Sequence, residues 1–113
     1  MNRLVLDDLY ASERYLRLQS NINLTNRGIG SIDAQTFAGL VKLVSIRLDQ
    51  NELSFVPDAL FMGLNNLKEI YLDSNNLTYL PSNLFSNLTQ LTFIGLKSNS
   101  LIALPLNIFQ GKF

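Results

Sequence analysis

A single period of 24 residues limits what this chain can fold into more than any other feature. One stretch reads Leu43, Ile46, Leu48, Asn51, Leu53, Val56, Pro57, Phe61 and Leu64. One period on, the same positions hold Leu67, Ile70, Leu72, Asn75, Leu77, Leu80, Pro81, Phe85 and Leu88. A further period gives Leu91, Ile94, Leu96, Asn99, Leu101, Leu104, Pro105 and Phe109. Upstream, Ile22, Leu24, Ile29, Ile32, Phe37 and Leu40 keep the phase, but Gln19, Arg27 and Asp33 stand where Leu, Asn and Pro recur. A fixed period of this length means stacked coils, none of which can bury its apolar face without a neighbour. The coils are residues 19–42, 43–66, 67–90 and 91–113. Residues 1–18 fit poorly, with only Val5 and Leu16 in phase, and read as a capping helix or a degenerate N-terminal turn.

Each coil carries a short alternation such as Ser45-Ile46-Arg47-Leu48-Asp49, which predicts a half-buried strand with Ile46 and Leu48 inward. Successive strands then stack in parallel at ~4.8 Å. Phe37, Phe61, Phe85 and Phe109 are spaced to form an internal column. Asn51, Asn75 and Asn99 fall where each strand ends and the backbone turns. A turn buried there leaves N–H and C=O groups without ladder partners, and a carboxamide supplies both a donor and an acceptor. The Asn column is therefore structural, expected to serve the coils above and below it.

Composition removes most chemistry. There is no cysteine or histidine, so thiolate and imidazole metal sites and Ser–His or Cys–His catalysis are closed. Nine basic residues balance nine acidic ones, against a nucleic-acid binder or a polybasic membrane anchor. No apolar run approaches the ~18 residues that span a bilayer, so direct membrane insertion of this segment is not expected. The opening Met1-Asn2-Arg3-Leu4-Val5-Leu6-Asp7-Asp8 is no secretory leader. No cofactor and no metal are expected.

The motif L-x-x-L-x-L-x-x-N-x-L, with Leu/Val-Pro and a downstream Phe, resembles the typical 24-residue class of the leucine-rich repeat family. The resemblance covers residues 19–113 and implies an α/β solenoid: a right-handed superhelix with a short-stranded parallel concave sheet and an irregular or 3-10 convex side. It also implies a secreted or cell-surface setting, since that class is found mostly in secreted proteins and receptor ectodomains; a cytoplasmic location stays open. Extracellular relatives close their ends with cysteine-rich caps, which this chain lacks. Lys112 stands where Leu40, Leu64 and Leu88 recur, so the C-terminal end reads as uncapped, and a piece of a longer array is the preferred explanation.

Function is expected on the outward strand positions, which form three columns. These are Asn21, Ser45, Glu69 and Phe93; Asn23, Arg47, Tyr71 and Gly95; and Thr25, Asp49, Asp73 and Lys97. Exposed aromatics beside Arg are the residue types enriched at binding hot spots. Arg47, Asp49, Glu69, Tyr71, Asp73, Phe93 and Lys97 are thus the candidate contacts for a protein ligand. Asp49 and Asp73 also admit other readings: a solvated acidic face, pairing with Arg47 and Lys97, a weak Ca²⁺ site, or a glycosidase dyad, the last two disfavoured. Asn23, Asn76 and Asn87 open N-x-Thr sequons and are candidate N-glycosylation sites. The preferred function is a non-catalytic protein-binding module, monomeric or weakly self-associating. The alternatives are a matrix module stacking through its uncapped ends, or the targeting arm of a larger multidomain enzyme.

Overall fold

The computed structural model describes residues 2–4 and 18–112. The strands are β1 (Asn2–Leu4), β2 (Asn21–Asn23), β3 (Ile29–Ile32), β4 (Ser45–Arg47), β5 (Glu69–Tyr71) and β6 (Phe93–Gly95), of which the recurring alternation accounts for β2, β4, β5 and β6. Strands β2, β4, β5 and β6 form one sheet in that order, and all its pairs are parallel. Their register is that of the sequence period: Ile22 lies beside Ile46, Ile46 beside Ile70 and Ile70 beside Ile94. Parallel neighbours one period apart require each coil to travel round the far side before returning. Among the described residues no helix makes that journey. The convex side is a run of turns closed by bonds between residues three apart, Leu60 N–H to Pro57 O, Met62 to Ala59, Leu64 to Phe61 and Leu67 to Leu64. The same bonds recur one coil later, from Leu84 to Pro81 through to Leu91 to Leu88.

The interior is one continuous apolar cluster from Ile22 to Ile108, crossing every coil. Phe37, Phe61 and Phe85 are fully buried and stack at centroid separations of 6.4 Å, and Phe109 extends the column at 6.0 Å from Phe85. The rings lie within 18° of parallel, a spacing at which adjacent coils share one aromatic spine.

The asparagines act in a defined direction. The Asn75 side-chain N–H₂ group donates to Leu72 O and Asp73 O of its own coil, and to Leu48 O of the coil before. Its oxygen accepts from Leu53 N–H, again in the preceding coil. Asn51 and Asn99 repeat this arrangement with Leu24, Leu48 and Ile29, and with Leu72, Leu96 and Leu77. Each carboxamide therefore ties its own coil to the preceding one, a correction to the expectation that it would serve both neighbours. Just before these asparagines, and before Arg27 in the same phase, the backbone takes a left-handed step, at Asn26, Gln50, Ser74 and Ser98, with φ between 56° and 59°. At Arg27 the main-chain N–H is accepted by Asn51, so the N-terminal coil is held from its successor's side.

Coil 19–42 also shows how Asp33 replaces proline. Its carboxylate accepts Gln35 N–H at 2.8 Å, its carbonyl accepts the Thr36 N–H and hydroxyl, and Arg3 pairs with its outer oxygen at 2.9 Å. The same region holds a two-stranded parallel sheet, β1 with β3, that the period did not announce. Its register pairs Asn2 with Ile29 but Leu4 with Ile32, offsets of 27 and 28 residues with a bulge between them. These offsets differ from the 24-residue period, so Asn2–Leu4 does not stand one period before β3. Apart from Asn2–Leu4 and Leu18, the expected capping helix or degenerate turn lies outside the described residues.

Truncating the spine tests the shared interior. Phe61→Ala is expected to lower unfolding free energy by about 3–5 kcal/mol in urea titration, the cost of a large buried ring plus its cavity. A loss below about 1 kcal/mol would mean the coils do not depend on that column.

Candidate functional site

The four-stranded sheet presents its outward columns on one side, and the period decides which side chains meet there. Across β4, β5 and β6, Arg47 sits beside Tyr71, and Tyr71 beside Gly95, in the ladder. The Arg47 guanidinium carbon lies 4.7 Å from the Tyr71 ring centroid, and the Tyr71 and Phe93 centroids are 4.9 Å apart at a 39° tilt. A cation, a phenol and a phenyl ring thus form one contact row over three strands. Phe93 remains 43% exposed, and Arg47 and Tyr71 are half-buried.

Asp49 and Ser45 depart from the simple outward pattern. Both occupy outward positions, yet they are only 4% and 9% exposed. Asp49 is covered because Arg47 folds onto it with two bonds, Nε to Oδ1 at 3.1 Å and Nη2 to Oδ2 at 2.8 Å. Thr25 donates its hydroxyl to the same carboxylate from the coil before, at 3.2 Å. The hydrogen bonds from Arg47 hold the Asp49 carboxyl below the usual carboxylate range, with burial opposing them. The same bonds and the Asp49 charge raise the Arg47 pKa. Asp49 is therefore a support that aims the guanidinium and not a group offered to a ligand.

Asp73 behaves differently. Its carboxylate leans across to the following coil, where Oδ2 accepts the Lys97 backbone N–H at 3.1 Å. It fits there because residue 95 is glycine: a Cβ at Gly95 would overlap the Asp73 carboxylate. A glycine inside a strand often marks such a close approach. Asp49 and Asp73 thus engage opposite neighbours, and the Asp73–Lys97 contact is made by the Lys97 main chain. Glu69 accepts a long bond from the Tyr71 hydroxyl, 3.4 Å, and burial, with the Glu69 charge adding, pushes the Tyr71 phenol up. Among the described residues, Arg3–Asp33 and Arg47–Asp49 are the ion pairs, so Glu69, Asp73 and Lys97 carry charges with no ion-pair partner. No cluster of three or more Asp, Glu, His or Cys able to hold a metal ion occurs among the described residues.

The three sequon asparagines, Asn23, Asn76 and Asn87, are all exposed. Asn23 caps a local turn, its oxygen accepting Thr25 N–H at 3.0 Å. Asn87 borders a convex-side groove of about 270 Å³ that also includes Asp58, Met62 and Asn83. No helix among the described residues is long and apolar enough to cross a membrane. Gly95 and Thr25 are the contributors that sequence reading left without a role. The glycine interrupting an outward column of larger side chains was the available signal.

The sequence matches the family model described as leucine rich repeat over residues 15–77 and again over 41–101. The chain belongs to the leucine-rich repeat family. Such domains commonly serve as protein-interaction modules and are generally non-catalytic. Solved structures agree on the fold. The crystal structure of the APL1 leucine-rich repeat domain matches with a TM-score of 0.86 at 25% identity, over 98% of this chain and 28% of that one. A leucine-rich repeat protein of Leptospira interrogans matches with a TM-score of 0.66 at 25% identity, over 81% of this chain and 23% of that one. The leucine-rich repeat domain of APL1B matches with a TM-score of 0.67 at 24% identity, over 96% of this chain and 38% of that one. The chain therefore spans well under half the length of these structures. No curated protein sequence matches it.

The Arg47–Asp49 pair predicts an acid-sensitive step. A carboxyl with a lowered folded-state pKa adds stability above its unfolded value of about 3.9 and loses it as pH falls through the folded value. The stability difference between the native chain and Asp49→Asn should therefore shrink between about pH 5 and the acid limb. Parallel stability curves for the two proteins over that range would contradict the pairing.

Proposed function

We propose that this leucine-rich repeat segment is a non-catalytic protein-binding module that recognises its ligand on the concave sheet. The observation that carries the reading is the Arg47–Tyr71–Phe93 row, an aromatic and guanidinium surface left accessible on the outward side of three strands. Arg and Tyr are hot-spot residues, and rings held against one another lose little freedom on binding. Arg47 is further pre-aimed by its two bonds to Asp49, so its entropy is largely spent before a ligand arrives. Glu69, Asp73 and Lys97 form a charged margin that sets register. A binding role is favoured over catalysis because Asp49 and Asp73, adjacent in one outward column, are engaged in hydrogen bonds to opposite neighbours, Thr25 and the Lys97 amide.

We further place the segment in a secreted or cell-surface receptor or adhesion protein. The exposure of Asn76 and Asn87 supports this, because a glycan on either would leave the outward strand columns clear. Asn23 lies in β2 itself, where a glycan would obstruct a ligand.

A phage-displayed library of twelve-residue peptides, panned on the folded protein, tests the surface. Selected peptides are expected to shift backbone amides in β4, β5 and β6, and to bind Tyr71→Ala/Phe93→Ala about tenfold or more weakly, with unchanged circular dichroism. Equal binding by the double variant would remove the concave site. Expression through a secretory pathway followed by intact mass measurement should show glycan at Asn76 and Asn87. Unmodified protein would count against the extracellular assignment.

A further inference from the structure

Two of the outward carboxylates and the two outward rings lie together. Glu69 and Asp73 flank Tyr71 on the same strand run, two residues to either side, or ~7 Å along an extended chain. Glu69 is also the in-register neighbour of Phe93 in the sheet. Neither carboxylate has an ion-pair partner among the described residues. The glycine at position 95 leaves the position between Phe93 and Lys97 without a side chain, and the Asp73 carboxylate lies over it.

The surrounding cations do not cancel this arrangement. Arg47 is paired first with Asp49, whose carboxylate it meets twice, and the Asp73 charge acts on it more weakly. Lys97 meets Asp73 through its main-chain N–H, 3.1 Å from Oδ2, and its ammonium makes no ion pair among the described residues. The Tyr71 ring already holds one guanidinium against its face, Arg47 at 4.7 Å, so guanidinium packing is realised within the site itself. The ring faces are the negative pole of the aromatic quadrupole, and nearby carboxylates deepen that potential.

We propose that the protein ligand inserts a cationic side chain, a guanidinium or an ammonium, onto the Tyr71–Phe93 platform between Glu69 and Asp73. This rests on the concave sheet being the binding surface and adds the chemistry of the group it selects. Aromatic faces supply contact area, and the two carboxylates supply the charge match that rejects a neutral or acidic side chain in the same place.

The test uses two tripeptides of the same shape, acetyl-Gly-Arg-Gly-amide and its citrulline counterpart, titrated into ¹⁵N-labelled protein. The arginine peptide should shift the amides of Tyr71, Phe93 and Gly95 saturably at low salt, and citrulline should bind about three- to fivefold more weakly, the scale of an exposed cation–π contact. Glu69→Gln and Phe93→Leu should each bring the two peptides together, whereas Glu52→Gln, a remote exposed carboxylate, should not. Equal affinity for both peptides, shifts confined to other surfaces, or no shift at all would overturn the proposal. The panning experiment does not depend on charge. Peptides that map to the concave sheet without cation dependence would retire this inference and keep the surface. Panned peptides that land elsewhere, beside an arginine-specific response here, would do the reverse.

Discussion

Asn51, Asn75 and Asn99 each close the turn of their own coil and bond to the coil before it, through carbonyls and amides that no strand ladder reaches. Everything on the outward face inherits its position from that tie. Were one coil free to slide against the next, Arg47 would lose Tyr71, Tyr71 would lose Phe93, and Asp73 would lose the Lys97 amide. The three-residue strands are too short to prevent sliding on their own, since each pair contributes few ladder bonds. The buried carboxamides and the stacked phenylalanines supply what the ladders lack: a directional lock and a shared apolar interior. Leaving either partner of such a buried bond unmet costs about 1–3 kcal/mol, large beside the stability of a chain this size.

The division between scaffold and surface explains why so much of the fold was legible. Leu, Ile, Asn and Phe recur because every coil solves the same packing problem, and a repeated solution is visible without any structure. Residues 45–49 show where this stops. Phase places Ser45 and Asp49 outward, but phase does not record that Arg47 will fold back over Asp49 or that Ser45 will be covered. Those are contacts between neighbouring side chains, and alternation carries no information about them. Gly95 is a similar case: the strand position is obvious, whereas its use as clearance for Asp73 depends on a side chain one coil away.

Backbone features were hidden for another reason. The left-handed step falls on Asn26, before Arg27, and on Gln50, Ser74 and Ser98, before the column asparagines, with no glycine to mark it. The conformation is imposed by the coil geometry and stabilised by the adjacent carboxamide, so composition is silent. The β1–β3 sheet escaped because its offset of 27 to 28 residues differs from the period used to align the rest. Asp33 gave a partial clue, as an acidic residue in a proline column, but its Arg3 partner lies 30 residues away.

The directional lock is best examined by native-state amide exchange in Asn75→Ala. Leu53 N–H, in the preceding coil, is accepted by the Asn75 oxygen, while the equivalent Leu77 N–H is accepted by Asn99. Leu53 should lose distinctly more protection than Leu77 in the variant. Equal losses at both amides, or wild-type protection at Leu53, would contradict the account that each asparagine holds its coil to the one before.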